Sequence, residues 1–269
     1  MQYIKTDDNT KIAVFDYNPK CRKTIFLIHG WPLSHEIFEY QINMLTACGY
    51  RVTAIDLRGF GQSDSPACGY TYDRMSADIY CVIKQMNLKN IIMAGFSMGG
   101  AIALRYMKNY KCCEVSKLIL LSASSPCFVK NPDCSYGLSV QTADKIMNLI
   151  QTDRPLFCRN FSRQLFYNTH SAEALDWFRK IALSASGTAT IQCLSSLKKE
   201  NGYSDLKSIN IPTCIIHGDK DIIVPKELAE IQHNVIKNSV LFTLPKSGHG
   251  IFYDEFDKFN SLFLKAIEI

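Results

Sequence analysis

Short apolar runs recur along this chain, each followed by a longer stretch with helical spacing, and this alternation constrains the fold more than any other feature. The runs are residues 24–28 (TIFLI), 52–55, 91–94, 117–121, 213–216 and 240–244. A strand that is apolar along its whole length is covered on both faces, as in a parallel sheet flanked by helices. Between the runs, residues 37–48, 75–86, 98–108, 226–236 and 256–267 carry helical patterns. Strand and helix in alternation predict a doubly wound, mostly parallel α/β sheet. At the N-terminus, residues 2–6 and 11–17 are joined by the turn-prone Asp8-Asn9. They predict an antiparallel hairpin on the sheet edge.

The rhythm breaks between about residues 124 and 205. No strong strand run appears there, and the stretch is rich in aromatics: Phe157, Phe161, Phe166, Tyr167, Trp177 and Phe178. The expected organisation is a core of residues 1–123 and 206–269 with a helical cap, or lid, inserted as residues 124–205. Ligands of open α/β sheets bind at the carboxyl ends of the strands, so such a cap covers the binding site. At 47% hydrophobic and 20% charged, the chain has the composition of a folded domain with a large core.

The strand at 91–94 runs into Gly95-Phe96-Ser97-Met98-Gly99-Gly100, and a helical pattern follows. This fits G-x-S-x-G in the strand–turn–helix context that a nucleophile elbow requires. The flanking glycines leave room for the neighbouring strand and helix. The turn delivers Ser97 to a helix N-terminus, where backbone N–H groups and the helix dipole favour negative charge.

A serine hydroxyl is a weak nucleophile without a base. In the order serine, acid, histidine, the downstream candidates are Asp221, after Ile216-His217-Gly218-Asp219-Lys220, and His249, in Ser247-Gly248-His249-Gly250. His249 is the expected general base and Asp221 its orienting acid. Asp219 is the rival acid, read instead as a turn or capping residue because Asp221 directly precedes the apolar Ile222-Ile223-Val224-Pro225. His217 is read as supporting the acid loop, and His29 as structural. His35, His170 and His233 have no partner in view. The oxyanion hole needs one N–H from the residue after the nucleophile, Met98, and one from the loop after the early strand, His29-Gly30-Trp31-Pro32. Trp31 N–H is the candidate donor there; Pro32 has no N–H and can only shape the loop. By position, Phe128, Phe157, Phe161 and Ile223 are candidates to line an apolar acyl or aryl pocket.

Other functions lack support. The net charge is +5, but the basic residues are scattered, with pairs no longer than Lys198-Lys199. That is a solvated surface and not a nucleic-acid stripe. The eleven cysteines form no Cys-x-x-Cys pair, so neither a metal site nor a disulfide framework is expected. Residues 1–8 (MQYIKTDD) do not resemble a signal peptide, and no apolar stretch approaches membrane-spanning length. A cytoplasmic location without membrane or nucleic-acid partners is expected. The oligomeric state, including a homo-oligomer, is left open.

Taken in order, residues 29–32, Asp56-Leu57-Arg58-Gly59-Phe60-Gly61-Gln62-Ser63-Asp64, 95–100, 217–225 and Gly248-His249 resemble the α/β-hydrolase superfamily. Within it, they most resemble the bacterial arylesterases and cofactor-free (non-haem) haloperoxidases, or perhydrolases. The resemblance implies a Ser-His-Asp esterase that needs no metal, haem or other cofactor and acts on a small-molecule ester through an acyl-enzyme. It also implies that hydrogen peroxide is a candidate acceptor in place of water, a trait that Pro32 after Trp31 accompanies in such relatives. Residues 56–64 are implied to be a structural loop. A lactonase, a thioesterase, a carbon–carbon bond hydrolase and a ligand receptor on a hydrolase fold remain alternative readings.

Overall fold

The computed structural model describes residues 1–269. The strands are β1 (Gln2–Lys5), β2 (Lys11–Tyr17), β3 (Thr24–Ile28), β4 (Arg51–Ile55), β5 (Ile91–Phe96), β6 (Val115–Leu121), β7 (Thr213–Gly218) and β8 (Ser239–Leu244). They form one sheet in the order β1-β2-β4-β3-β5-β6-β7-β8. The β1–β2 and β2–β4 pairs are antiparallel and every other pair is parallel. The N-terminal hairpin therefore caps one edge, as the turn at Asp8-Asn9 predicts; Asn9 takes the positive φ, 69°.

The helices are α1 (Glu39–Ala47), α2 (Tyr72–Gln85), α3 (Met98–Asn109), α4 (Val140–Gln164), α5 (Ala172–Ser184), α6 (Gly187–Lys199), α7 (Tyr203–Lys207), α8 (Lys226–Val235), α9 (Ile251–Asp254) and α10 (Phe256–Glu268). The expected helix at 37–48 is split: a 3-10 turn, His35–Phe38, precedes α1. No helix is long and apolar enough to cross a membrane.

The central strands behave as their composition requires: β3, β5 and β7 are buried along their whole length. The last strand does not. Residues 240–244 are apolar enough to read as a buried strand, yet β8 is mostly half-exposed or exposed and Val240 is 45% exposed. It lies at the sheet edge with a neighbour on one side only, and edge position cannot be read from composition.

Between β6 and β7 the chain leaves the sheet, and α4 to α7 form there. Ser139, Ser171 and Ser186 accept the N–H of Thr142, Ala174 and Ala189 and so cap α4, α5 and α6. Within α4 the backbone breaks at Asp153 (φ −150°, ψ 74°). The Asp153 carboxylate accepts the Leu156 N–H at 3.0 Å, capping a second helical segment. Pro155 lies in the first turn of that segment, where its missing N–H costs nothing. The apolar core runs without interruption from the sheet into this insertion through Phe157, Phe161 and Phe178.

Strand order also locates the site. From β3 the chain passes to β4 on one side, and later to β5 on the other. The loops after β3 and β5 thus diverge at a topological switch point, where open α/β sheets form their binding crevice.

Candidate active site

Ser97 occupies the turn between β5 and α3 with φ 53° and ψ −119°, a conformation that L-residues avoid and that is held only where surrounding structure enforces it. Its N–H donates to Leu121 O on β6 at 2.9 Å. The turn closes tightly because position 95 lacks a side chain: a Cβ there would lie 2.6 Å from Gly99 O and 2.7 Å from Gly100 Cα. Helix α3 starts at Met98, so its first N–H groups have no acceptor within the helix.

The loop after β8 brings His249 to the serine. Ser97 Oγ lies 2.9 Å from His249 Nε2, and His249 Nδ1 lies 2.7 Å from Asp221 Oδ2. All three residues are buried. The other oxygen of Asp221 accepts the N–H groups of Ile223 and Val224 at 2.9 and 2.8 Å. One carboxylate oxygen is therefore fixed by its own loop, leaving the other for the imidazole. With Nδ1–H given to Asp221, Nε2 is left with a lone pair facing Ser97 Oγ, an arrangement able to accept the serine proton. Asp219 is not the ring's partner; its N–H donates to Leu244 O, tying the acid loop to β8. The Phe96 ring packs on the imidazole with a centroid separation of 4.8 Å.

The other histidines are bonded within the structure. His217 Nε2 lies 2.8 Å from Val224 O in the acid loop, and burial pushes its pKa down. His29 Nε2 accepts the Leu57 N–H at 2.9 Å, and Nδ1 lies 2.9 Å from Gly30 O. Burial lowers the His29 pKa to about 4, so this histidine is neutral. His35, His170 and His233, which show no partner in the sequence, do have one. They pair with Asp56, Asp254 and Ser239, each at 2.8 Å. Their partners lie between 6 and 84 residues away in sequence, so only the fold brings them together. The loop of residues 56–64 is held by two buried carboxylates: Asp56 accepts the N–H groups of His35 and Gln62, and Asp78 pairs with Arg58 at 2.6 Å.

The loop after β3 passes directly beside the serine. A Cβ at Gly30 would lie 2.8 Å from Ser97 Cβ, so only glycine permits this approach. Leu33 N–H donates to Gly30 O at 2.9 Å, which turns the loop, and the Trp31–Pro32 peptide is cis. No turn or loop hydrogen bond uses the backbone N–H of Trp31 or of Met98. Trp31 Nε1 donates to Thr190 O in α6, anchoring the indole to the insertion.

A cavity of about 270 Å³ is lined by Trp31, which follows Gly30 in the loop beside the serine, and by Ile222 and Ile223, which follow Asp221. Phe128, Phe157, Phe161 and Ile223 all line it, as their positions suggest. The sequence reading missed Leu138, Thr142, Ile146, Leu149, Asn160, Gln164 and Ile222, as well as the Trp31 ring. The signal was present: 142, 146 and 149, and then 157, 160, 161 and 164, each trace one helical face. Which face meets the cavity is set by how α4 docks. No charged side chain lines the cavity, and no group of three or more His, Cys, Asp or Glu side chains is gathered to ligate a metal ion.

Residues 23–135 match the family model described as the alpha/beta hydrolase fold. The AB hydrolase superfamily protein YisY of Bacillus subtilis is 44% identical over 97% of this chain and 96% of its own length. A non-heme chloroperoxidase of Burkholderia pyrrocinia is 30% identical over the full length of both chains. Among solved structures, an esterase from Exiguobacterium antarcticum superposes with a TM-score of 0.97 at 38% identity, covering 100% of this chain and 99% of that one. The chain therefore belongs to the α/β-hydrolase superfamily, and its relatives there include proteins named as non-haem haloperoxidases and as esterases.

Proposed function

We propose that this protein hydrolyses small, uncharged aryl and alkyl carboxylic esters through an acyl-enzyme on Ser97, and that the same acyl-enzyme accepts hydrogen peroxide. The observation that carries this reading is the unbroken chain Ser97 Oγ–His249 Nε2–Asp221 at 2.9 and 2.7 Å, beside an apolar cavity without charged lining.

In this reading His249 Nε2 takes the serine proton as Oγ attacks the ester carbonyl. The N–H groups of Trp31 and Met98 stabilise the resulting oxyanion, and each such donor is worth roughly 3–4 kcal/mol of barrier. His249 then returns the proton to the departing alcohol. Water, activated by the same imidazole, cleaves the acyl-enzyme to the carboxylic acid and free Ser97. With hydrogen peroxide in its place the product is the peroxycarboxylic acid. Phe128, Phe157, Phe161 and Ile223 receive the apolar acyl or aryl group. Residues 124–205 act as the lid that encloses it and sets its length.

The test is turnover of p-nitrophenyl acetate and butyrate by the protein and its Ser97→Ala variant, with and without peroxide. Repeated turnover by the native protein, abolished in the variant, is expected. Peroxide should divert product to peracid, which oxidises added bromide to hypobromite and is seen as bromide-dependent bleaching of a dye. Equal rates for the two proteins would refute the role of Ser97.

A further inference from the structure

His249 sits in a loop, so its position depends on what holds that loop. Much of the hold comes from two adjacent carboxylates at the end of α9. Glu255 Oε2 accepts the Lys246 N–H at 2.8 Å and the Ser247 hydroxyl at 2.9 Å. Asp254 Oδ2 accepts the N–H of Gly248, the residue before the histidine, at 2.7 Å. The same Asp254 reaches the inserted helical region. Its Oδ2 accepts the Tyr167 N–H at 2.8 Å, and its Oδ1 accepts the Asn168 N–H at 3.0 Å and faces His170 Nε2 at 2.8 Å. On the other side of the histidine, the Gly250 N–H donates to Leu165 O at 2.6 Å. The two backbones are in close contact: a Cβ at Gly248 would lie 2.8 Å from Tyr167 N.

The Asp254 side chain is fully buried. A carboxylate in that state is tolerated only when its lone pairs are satisfied, and here four donors satisfy them, one from the His249 loop and three from residues 167–170. The hydrogen bonds on Gly248 and Gly250 straddle His249, and both lead to residues 165–170, one directly and one through Asp254.

We propose that Asp254 is a positioning residue for the catalytic base: it couples docking of residues 165–170 to the placement of His249 against Ser97. The proposal rests on the reading of His249 as general base. The imidazole must stay within hydrogen-bond reach of both Ser97 and Asp221, and misplacement by about 1 Å is enough to cost two orders of magnitude in rate. A carboxylate that clamps both backbones restricts that error at the loop that carries the ring.

The decisive variant is Asp254→Asn, which keeps the shape. Both carboxylate oxygens receive a backbone N–H, so the amide NH₂ faces a donor in either orientation. The readout is phosphonylation of Ser97 by a small fluorophosphonate, followed by mass spectrometry for both rate and final amplitude, with ester kinetics in parallel. The expected result is full amplitude reached about tenfold or more slowly, with kcat reduced in step and KM changed by less than about threefold. Full amplitude at the native rate overturns the proposal. So does a reduced amplitude at the native rate, which marks a residue needed only for folding. If native protein is not modified at Ser97, it is the triad reading that fails. Should Asp254→Asn not accumulate as folded protein, His170→Phe carries the test. It removes one donor while keeping the ring packing on Phe166 and Tyr253. Phosphonylation about two- to fivefold slower at full amplitude is expected there, and an unchanged rate overturns the proposal.

Discussion

His29 is fully buried between the loop after β3 and the loop after β4, and it holds the first beside Ser97. Its neutral form meets both demands of the site, with Nδ1 directed at Gly30 O and Nε2 accepting the Leu57 N–H. Protonation would set an N–H against the Leu57 N–H. Burial accordingly lowers its pKa from 6.5 to about 4. A folded-state pKa below the unfolded one means that the unfolded chain binds the proton first. The stabilisation is therefore complete above pH 6.5 and lost as pH falls toward 4. Integrating the proton uptake between pH 7.5 and pH 5 gives a loss of about 2 kcal/mol from this one residue. Carboxylates held below their usual range, such as Asp56, contribute little above pH 5, because they remain ionised there in both states. His217, also lowered by burial, adds a loss of the same sign.

The perturbation that isolates His29 is His29→Gln, whose amide oxygen can still accept the Leu57 N–H and does not titrate. Urea unfolding of both proteins at pH 7.5 and pH 5 is the assay. The variant starts less stable, and the gap between the proteins should narrow by about 2 kcal/mol on going to pH 5, while His217 contributes equally to both. Parallel loss of stability in native and variant proteins would refute the assignment.

Asp221→Asn removes the charge opposite the imidazole and admits the wrong tautomer, so kcat for p-nitrophenyl butyrate should fall by roughly 10⁴. Asp219→Asn should leave kcat within about threefold; a large loss there instead would exchange the roles of the two aspartates. Phe157→Ala opens the cavity wall against Trp31, whose ring centroid lies 5.3 Å away. It should cost about 3–5 kcal/mol of stability and raise the hexanoate-to-acetate ratio in kcat/KM about tenfold. An unchanged ratio would place the acyl group elsewhere.

Much of the site is readable in the linear chain because its chemistry depends on local backbone geometry. Gly95, Ser97 and Gly99 encode a strand–turn–helix with a recognisable local spacing, so the candidate nucleophile is legible, although distant segments such as Leu121 help to hold the turn. Asp221 and His249 follow apolar strand runs of a parallel sheet, and parallel strands end on the same side, so strand direction alone puts both at the crevice. The inserted helical region is legible only as an interruption of rhythm. Its aromatics announce burial, but β-strand and helix periods say nothing about which face of α4 turns toward the site.

The apolar alternation, the glycine spacing and the order of serine, aspartate and histidine determined the class of fold and singled out the candidate triad, because each follows from contacts made within a short span or from the common direction of parallel strands. The tertiary structure alone decided the rest. It paired His35 with Asp56 and His170 with Asp254, left β8 exposed at the sheet edge, aimed Thr142, Asn160 and Gln164 into the cavity, and clamped the His249 loop to residues 165–170 through one buried carboxylate. Those features arise from the docking of segments distant in sequence, and docking is governed by shape and by mutual satisfaction of buried polar groups, which no local pattern records.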